Sequence, residues 1–151
     1  MADLRSVPDE TKWRIASQAS AHLAALYESV FRPVLEDRYD ELDQEVWFRM
    51  AEYSREIAVS LKFPTMTSRE LAESLRQVNA LIFGPDFKDE VIEVGKDGAV
   101  LIIRRCPHLR QGADGSGNGL FHRCMAFTLS SQKSMNPAYS SRYVRAMCMG
   151  D

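Results

Sequence analysis

Glu90-Val91-Ile92-Glu93-Val94-Gly95-Lys96-Asp97-Gly98-Ala99-Val100-Leu101-Ile102-Ile103 decides the fold, because the spacing of apolar residues changes there. Upstream they recur every three or four positions, the period of a helix. Here apolar, largely β-branched residues run together on both sides of Gly-Lys-Asp-Gly, whose residues suit a tight reversal. Two such runs joined by a turn predict an antiparallel hairpin. Its second strand is apolar on both faces, which implies a central strand covered by helices.

Working back from the hairpin, Thr67-Ser68-Arg69-Glu70 has the form of a capping box, in which hydroxyl and carboxylate satisfy each other's free backbone amides. Leu71, Leu75, Val78 and Ile82 follow at helical spacing, and Gly84-Pro85 ends the run. Before it, Asp40 is placed to cap a helix striped by Leu42, Val46, Met50, Tyr53, Ile57 and Leu61, with Trp47 and Phe48 widening the apolar face, until Pro64. The first helix opens at Pro8-Asp9 and ends near Pro33. Its stripe is Ile15, Ala19, His22, Leu23, Leu26 and Val30, which makes His22 an interior or edge histidine and the aromatic residues core.

Forward of the hairpin, Gln111 to Gly119 contains four glycines and reads as a flexible loop or lid. Leu120 to Leu129 suits a short helix. Alternation of Tyr143, Arg145 and Met147 with Val144, Ala146 and Cys148 predicts a last strand. The expected architecture is α+β, a helical N-terminal half packed on a small antiparallel sheet. A chain of 151 residues suits a single domain, with 1–85 helical and 86–151 carrying the hairpin, a Cys/His cluster and the last strand.

Nineteen Lys and Arg against twenty-one Asp and Glu, a net charge of -2, offer no basic face for nucleic acid. No apolar run is long enough to cross a bilayer, and the N-terminus has no apolar run behind a basic cluster, so a cytoplasmic protein is expected. An odd number of cysteines in a reducing compartment leaves thiols or metal ligation as the choices.

All three cysteines and two of the three histidines fall between Cys106 and Cys148. Cys106-Pro107-His108 follows the apolar strand, His122-Arg123-Cys124 follows the glycine loop, and Cys148 ends the last strand. Thiolates and imidazoles are the ligands that zinc and iron favour, so Cys106, His108, His122, Cys124 and Cys148 are the candidate metal ligands. Two other readings compete: cysteines packed as small hydrophobes, and a Cys106 or Cys124 nucleophile with His108 or His122 as its base. Arg104, Arg105, Arg110 and Arg123 surround the cluster, either as contacts for an anionic ligand or as solvated surface.

The strand ending in Arg105-Cys106-Pro107, the Phe121-His122-Arg123-Cys124 step and the closing Cys148-Met149-Gly150-Asp151 resemble a group of small prokaryotic proteins. The group includes 4-vinyl reductase domains and proteins similar to L-2-amino-thiazoline-4-carboxylic acid hydrolase. The resemblance covers residues 85–151 in motif. It implies a small-molecule-binding or sensory domain with Cys106, Cys124 and Cys148 as ligands; without a paired CPxC step, His108 or His122 takes a ligand's place. The expected function is a small-molecule-binding or accessory domain holding zinc or iron. The alternatives are a hydrolase of a small heterocyclic or amide substrate, and a homo-oligomerisation module built on the N-terminal helices.

Overall fold

The computed structural model describes residues 3–110 and 117–145. Four helices, α1 (Asp9–Leu35), α2 (Asp37–Ser60), α3 (Ser68–Phe83) and α4 (Gly117–Met135), accompany one antiparallel pair, β1 (Lys88–Glu93) and β2 (Ala99–Arg105). The fold is α+β with a helical N-terminal half. No helix among the described residues is long and apolar enough to cross a membrane.

The capping box forms as its residues imply: Thr67 Oγ1 accepts from the Glu70 amide at 3.2 Å, and Glu70 Oε2 accepts from the Thr67 amide at 3.0 Å. At the other end of α3, Gly84 adopts φ 91°, and a Cβ there would stand 2.0 Å from Ser17 Oγ. Glycine thus both stops α3 and lets α1 pass against it. The α1–α2 corner turns on Glu36, a non-glycine residue at φ 49°, and Arg32 spans the corner by bonding Glu28 and Asp40, both at 2.9 Å.

The main helical contact is α2 against α4, built from small residues. Ala51, Ser54 and Ala58 are buried on α2, Phe127 and Ser131 on α4. The polar atoms in this interface are paired: Ser131 Oγ donates to Ser54 Oγ at 3.1 Å, and Ser134 Oγ donates to the Ala51 carbonyl at 3.2 Å. Leu71, Leu75 and Val78 of α3 supply the larger buried side chains, and α3 lies against the hairpin. Beyond α4 the chain is tied down by Gln132 Nε2, which donates to the Asn136 and Tyr139 carbonyls at 3.0 and 2.8 Å.

Several elements depart from the reading of the sequence. α2 begins at Asp37, so Asp40 is inside the helix, where it pairs with Arg32 instead of capping. α1 does end near Pro33, at Leu35, with the proline in its last turn. α4 extends well past Leu129 and takes in Gly117 to Gly119, which shortens the expected loop; residues 111–116 lie outside the described residues. Among the described residues β2 pairs only with β1. Tyr143–Arg145 form no strand, and the remainder of that expected strand, with Cys148, lies outside the described residues.

The largest difference is in which faces are buried. On α1 the expected stripe points to solvent: Ile15 and Val30 are each 60% exposed, and Leu23, Leu26 and His22 are exposed as well. The inward side carries Ser17, Ala21, Ala24, Glu28 and Arg32, which are small or ion-paired. On α2 the stripe is rotated in the same sense. Leu42, Val46, Tyr53 and Leu61 are exposed, as is Phe48, while Tyr39, Ala51, Ser54 and Ala58 face inward.

Candidate functional site

α2, α3, β2, the 3₁₀ turn after β2 and α4 converge on one apolar cavity of about 30 Å³. Trp47, Phe83 and Phe127 form its aromatic wall. The ring pairs Trp47–Phe127 and Phe83–Phe127 meet edge to face, at centroid distances of 5.7 and 5.4 Å. Edge-to-face contact is the favoured arrangement for rings whose faces are negative and edges positive.

Cys106, His108 and Cys124 line this cavity, although they come from the end of β2, the 3₁₀ turn and α4. The sequence placed chemistry here, and three of its five candidates do share one space. His122 does not: its side chain is exposed beside the Phe121 ring, at 5.8 Å, and it does not line the cavity. Cys148 lies outside the described residues, and among those described no three His, Cys, Asp or Glu side chains are grouped to hold a metal ion.

His108 sits among rings, 5.2 Å from Phe83 and 5.7 Å from Trp47, and makes no hydrogen bond among the described residues. Burial pushes its pKa down to about 4, and the nearby Arg123 charge adds to the effect. At neutral pH the imidazole is therefore uncharged, with one nitrogen able to accept or to ligate. Cys124 Sγ lies 3.3 Å from Tyr143 Oη and 4.0 Å from Thr128 Oγ1, and Tyr143 Oη donates to the Cys124 carbonyl at 3.0 Å. This thiol is engaged by hydroxyls and, among the described residues, by no imidazole, which weakens a Cys124–His pair as nucleophile and base.

One residue of the site was not foreseen, and another takes a different role from the one expected. Asn79, in the middle of α3 and 2% exposed, lines the cavity, and its Oδ1 has no hydrogen-bond partner among the described residues. Its signal in the sequence is slight: a polar residue directly after Val78 on the buried side of an amphipathic helix. Arg123, expected at the surface or as an anion contact, is instead buried. Its Nε donates to Asp43 at 2.8 Å, its Nη2 donates to Glu28 at 3.0 Å, and its guanidinium lies 5.7 Å over the Trp47 ring. Burial alone would lower its pKa, but the two carboxylates hold it above its ordinary value. Arg104 is likewise engaged, by Glu90 across the hairpin. Neither arginine is left open for an anion.

In comparisons with known proteins no family model matches the chain, and neither a curated protein nor a solved structure matches it.

Proposed function

We propose that this domain binds a small molecule that inserts an apolar group carrying one hydrogen-bond donor into the aromatic cavity. In this reading Asn79 Oδ1 accepts that hydrogen bond, and Cys106, His108 and Cys124 supply soft contacts. A few convergent polar groups in a mostly apolar concavity are the usual makeup of a small-molecule site.

The observation that carries the proposal is the buried Asn79 oxygen, without a hydrogen-bond partner among the described residues, at the same apolar cavity that the His108 ring lines. A buried acceptor without a partner costs on the order of 1–3 kcal/mol, so a ligand that satisfies it recovers that cost on binding. A volume of about 30 Å³ holds little more than a water-sized group or two, so a substituent or the edge of a small heterocycle is the fitting shape. Zinc or iron remains the metal to which two thiols and a neutral imidazole are suited. The small-molecule reading stands first because the polar demand of Asn79 is met by a donor, not by ligation from its neighbours.

Trp47 reports on the cavity from within. In a Trp13→Phe background, fluorescence titration with pyrrole, imidazole and indole should show saturable quenching that Asn79→Leu abolishes. Elemental analysis of anaerobically purified protein, with and without Cys106→Ser, runs beside it. Stoichiometric metal lost with Cys106 would move the assignment to a metal centre, and neither quenching nor metal would remove both.

A further inference from the structure

We infer that α1 is the dimerisation helix of a symmetric homodimer, paired antiparallel with α1 of a second copy about a two-fold axis between residues 24 and 25. The inference is independent of the cavity.

A helix that only covers a domain buries its large apolar side chains and shows polar ones to water. α1 does the reverse. Ile15, Leu23, Leu26, Val30 and Val34, with Tyr27 and Phe31 beside them, are between 44% and 76% exposed. Opposite them lie Ser17, Ala21, Ala24, Glu28 and Arg32, which attach the helix through small side chains and ion pairs. From Ile15 to Tyr27 the sequence contains no Asp, Glu, Lys or Arg. A charge-free exposed helix of this kind is costly to leave in water and marks a contact surface.

Three features select a second copy as the occupant. The first is area: with on the order of 100 Å² left open by each of these large residues, the stripe offers roughly 700 Å², close to the ~800 Å² per partner of a stable interface. The second is symmetry in the spacing. Ile15, Ala19, Leu23, Leu26, Val30 and Val34 are separated by steps of four, four, three, four and four, which read the same in both directions. Antiparallel pairing therefore sets Ile15 against Val34, Ala19 against Val30 and Leu23 against Leu26, twice over, as a self-complementary two-fold interface requires. The third is charge. The same register brings Lys12 at one end to the acidic Glu36 and Asp37 at the other; all three are exposed, and among the described residues Lys12 bonds Asp9 of its own helix, at 2.9 Å.

Light scattering on the purified full chain at micromolar concentration should give twice the chain mass, and Leu23→Glu with Leu26→Glu should give the monomer with an unchanged helical circular dichroism spectrum. Register is tested by charge. Lys12→Glu should weaken the dimer several-fold, and adding Asp37→Lys should restore it, whereas a parallel pairing gives no restoration. A wild-type monomer overturns the proposal, as does a dimer indifferent to the Leu23/Leu26 pair. A monomer that sediments with phospholipid vesicles, or one held by a different protein, assigns the stripe to another occupant and overturns it equally.

Discussion

Asn79 shows how much a single side chain can reveal. Leucine repeats the branching of asparagine with carbons in place of the amide oxygen and nitrogen and needs no hydrogen bond, so an evolving core would gain from the exchange unless the oxygen has a use. Asn79→Leu should therefore raise the free energy of unfolding by about 1 kcal/mol, read from urea denaturation, while abolishing ligand quenching of Trp47. His108 gives a second residue-scale expectation. Its pKa, ordinarily near 6.5, is held at about 4, so the unfolded chain takes up the proton first as the pH falls. The stability it contributes is whole above pH 6.5 and is lost as the pH falls toward 4, by about 3 kcal/mol in full. Asp89 acts in the opposite sense. Burial pushes its carboxyl up to about 6, so the folded chain holds this proton more tightly, and stability is lost as the pH rises through that range. Denaturation of Asp89→Asn at pH 7 and pH 4.5 should show the uncompensated acid loss, and His108→Phe in that background should flatten it.

At the scale of elements, the sequence locates helices better than it orients them. The box at Thr67 and the stop at Gly84 were legible because each depends on a local hydrogen bond or a backbone angle. The apolar period of α1 was legible too, but a period says only that a helix has an apolar face, not whether its own domain covers that face. The cavity was half legible. Cys106, His108 and Cys124 stood out by residue type, whereas Asn79 and Arg123 acquire meaning only when α3 and α4 are brought against α2. Gly84 joins the two levels, since its angle is local and its closeness to Ser17 is not. Gly84→Ala should cost about 2 kcal/mol or more, from the left-handed angle together with the clash. The clash portion is separable: in a double-mutant cycle with Ser17→Gly, the two changes should together cost less than their sum, measured by thermal denaturation.

At the scale of the molecule, one ion network holds together helices whose apolar contact is thin. Arg123 on α4 joins Glu28 on α1 to Asp43 on α2, and Glu28 in turn holds Arg32, which reaches Asp40. Arg123 and Asp43 are well shielded, with 7% and 14% of their side chains exposed. A buried network of this kind adds little net stability over an apolar packing of equal shape, but removal of one member strands the others. Arg123→Ala leaves the shielded Asp43 carboxylate without its ion partner and Glu28 with Arg32 alone, and it should cost about 3–5 kcal/mol in urea denaturation. Arg123→Met with Glu28→Gln and Asp43→Asn removes every charge that the first change strands, so it should recover most of that loss. The comparison distinguishes two roles for the network. If the triple variant recovers stability and still packs α1 in its present place, the charges serve mainly to satisfy one another. If it recovers stability but loses the dimer, the network is what keeps the apolar stripe of α1 turned outward, because a helix freed of its ion pairs can roll to bury Leu23 and Leu26 against its own domain. Light scattering on the triple variant, beside its denaturation curve, decides between them.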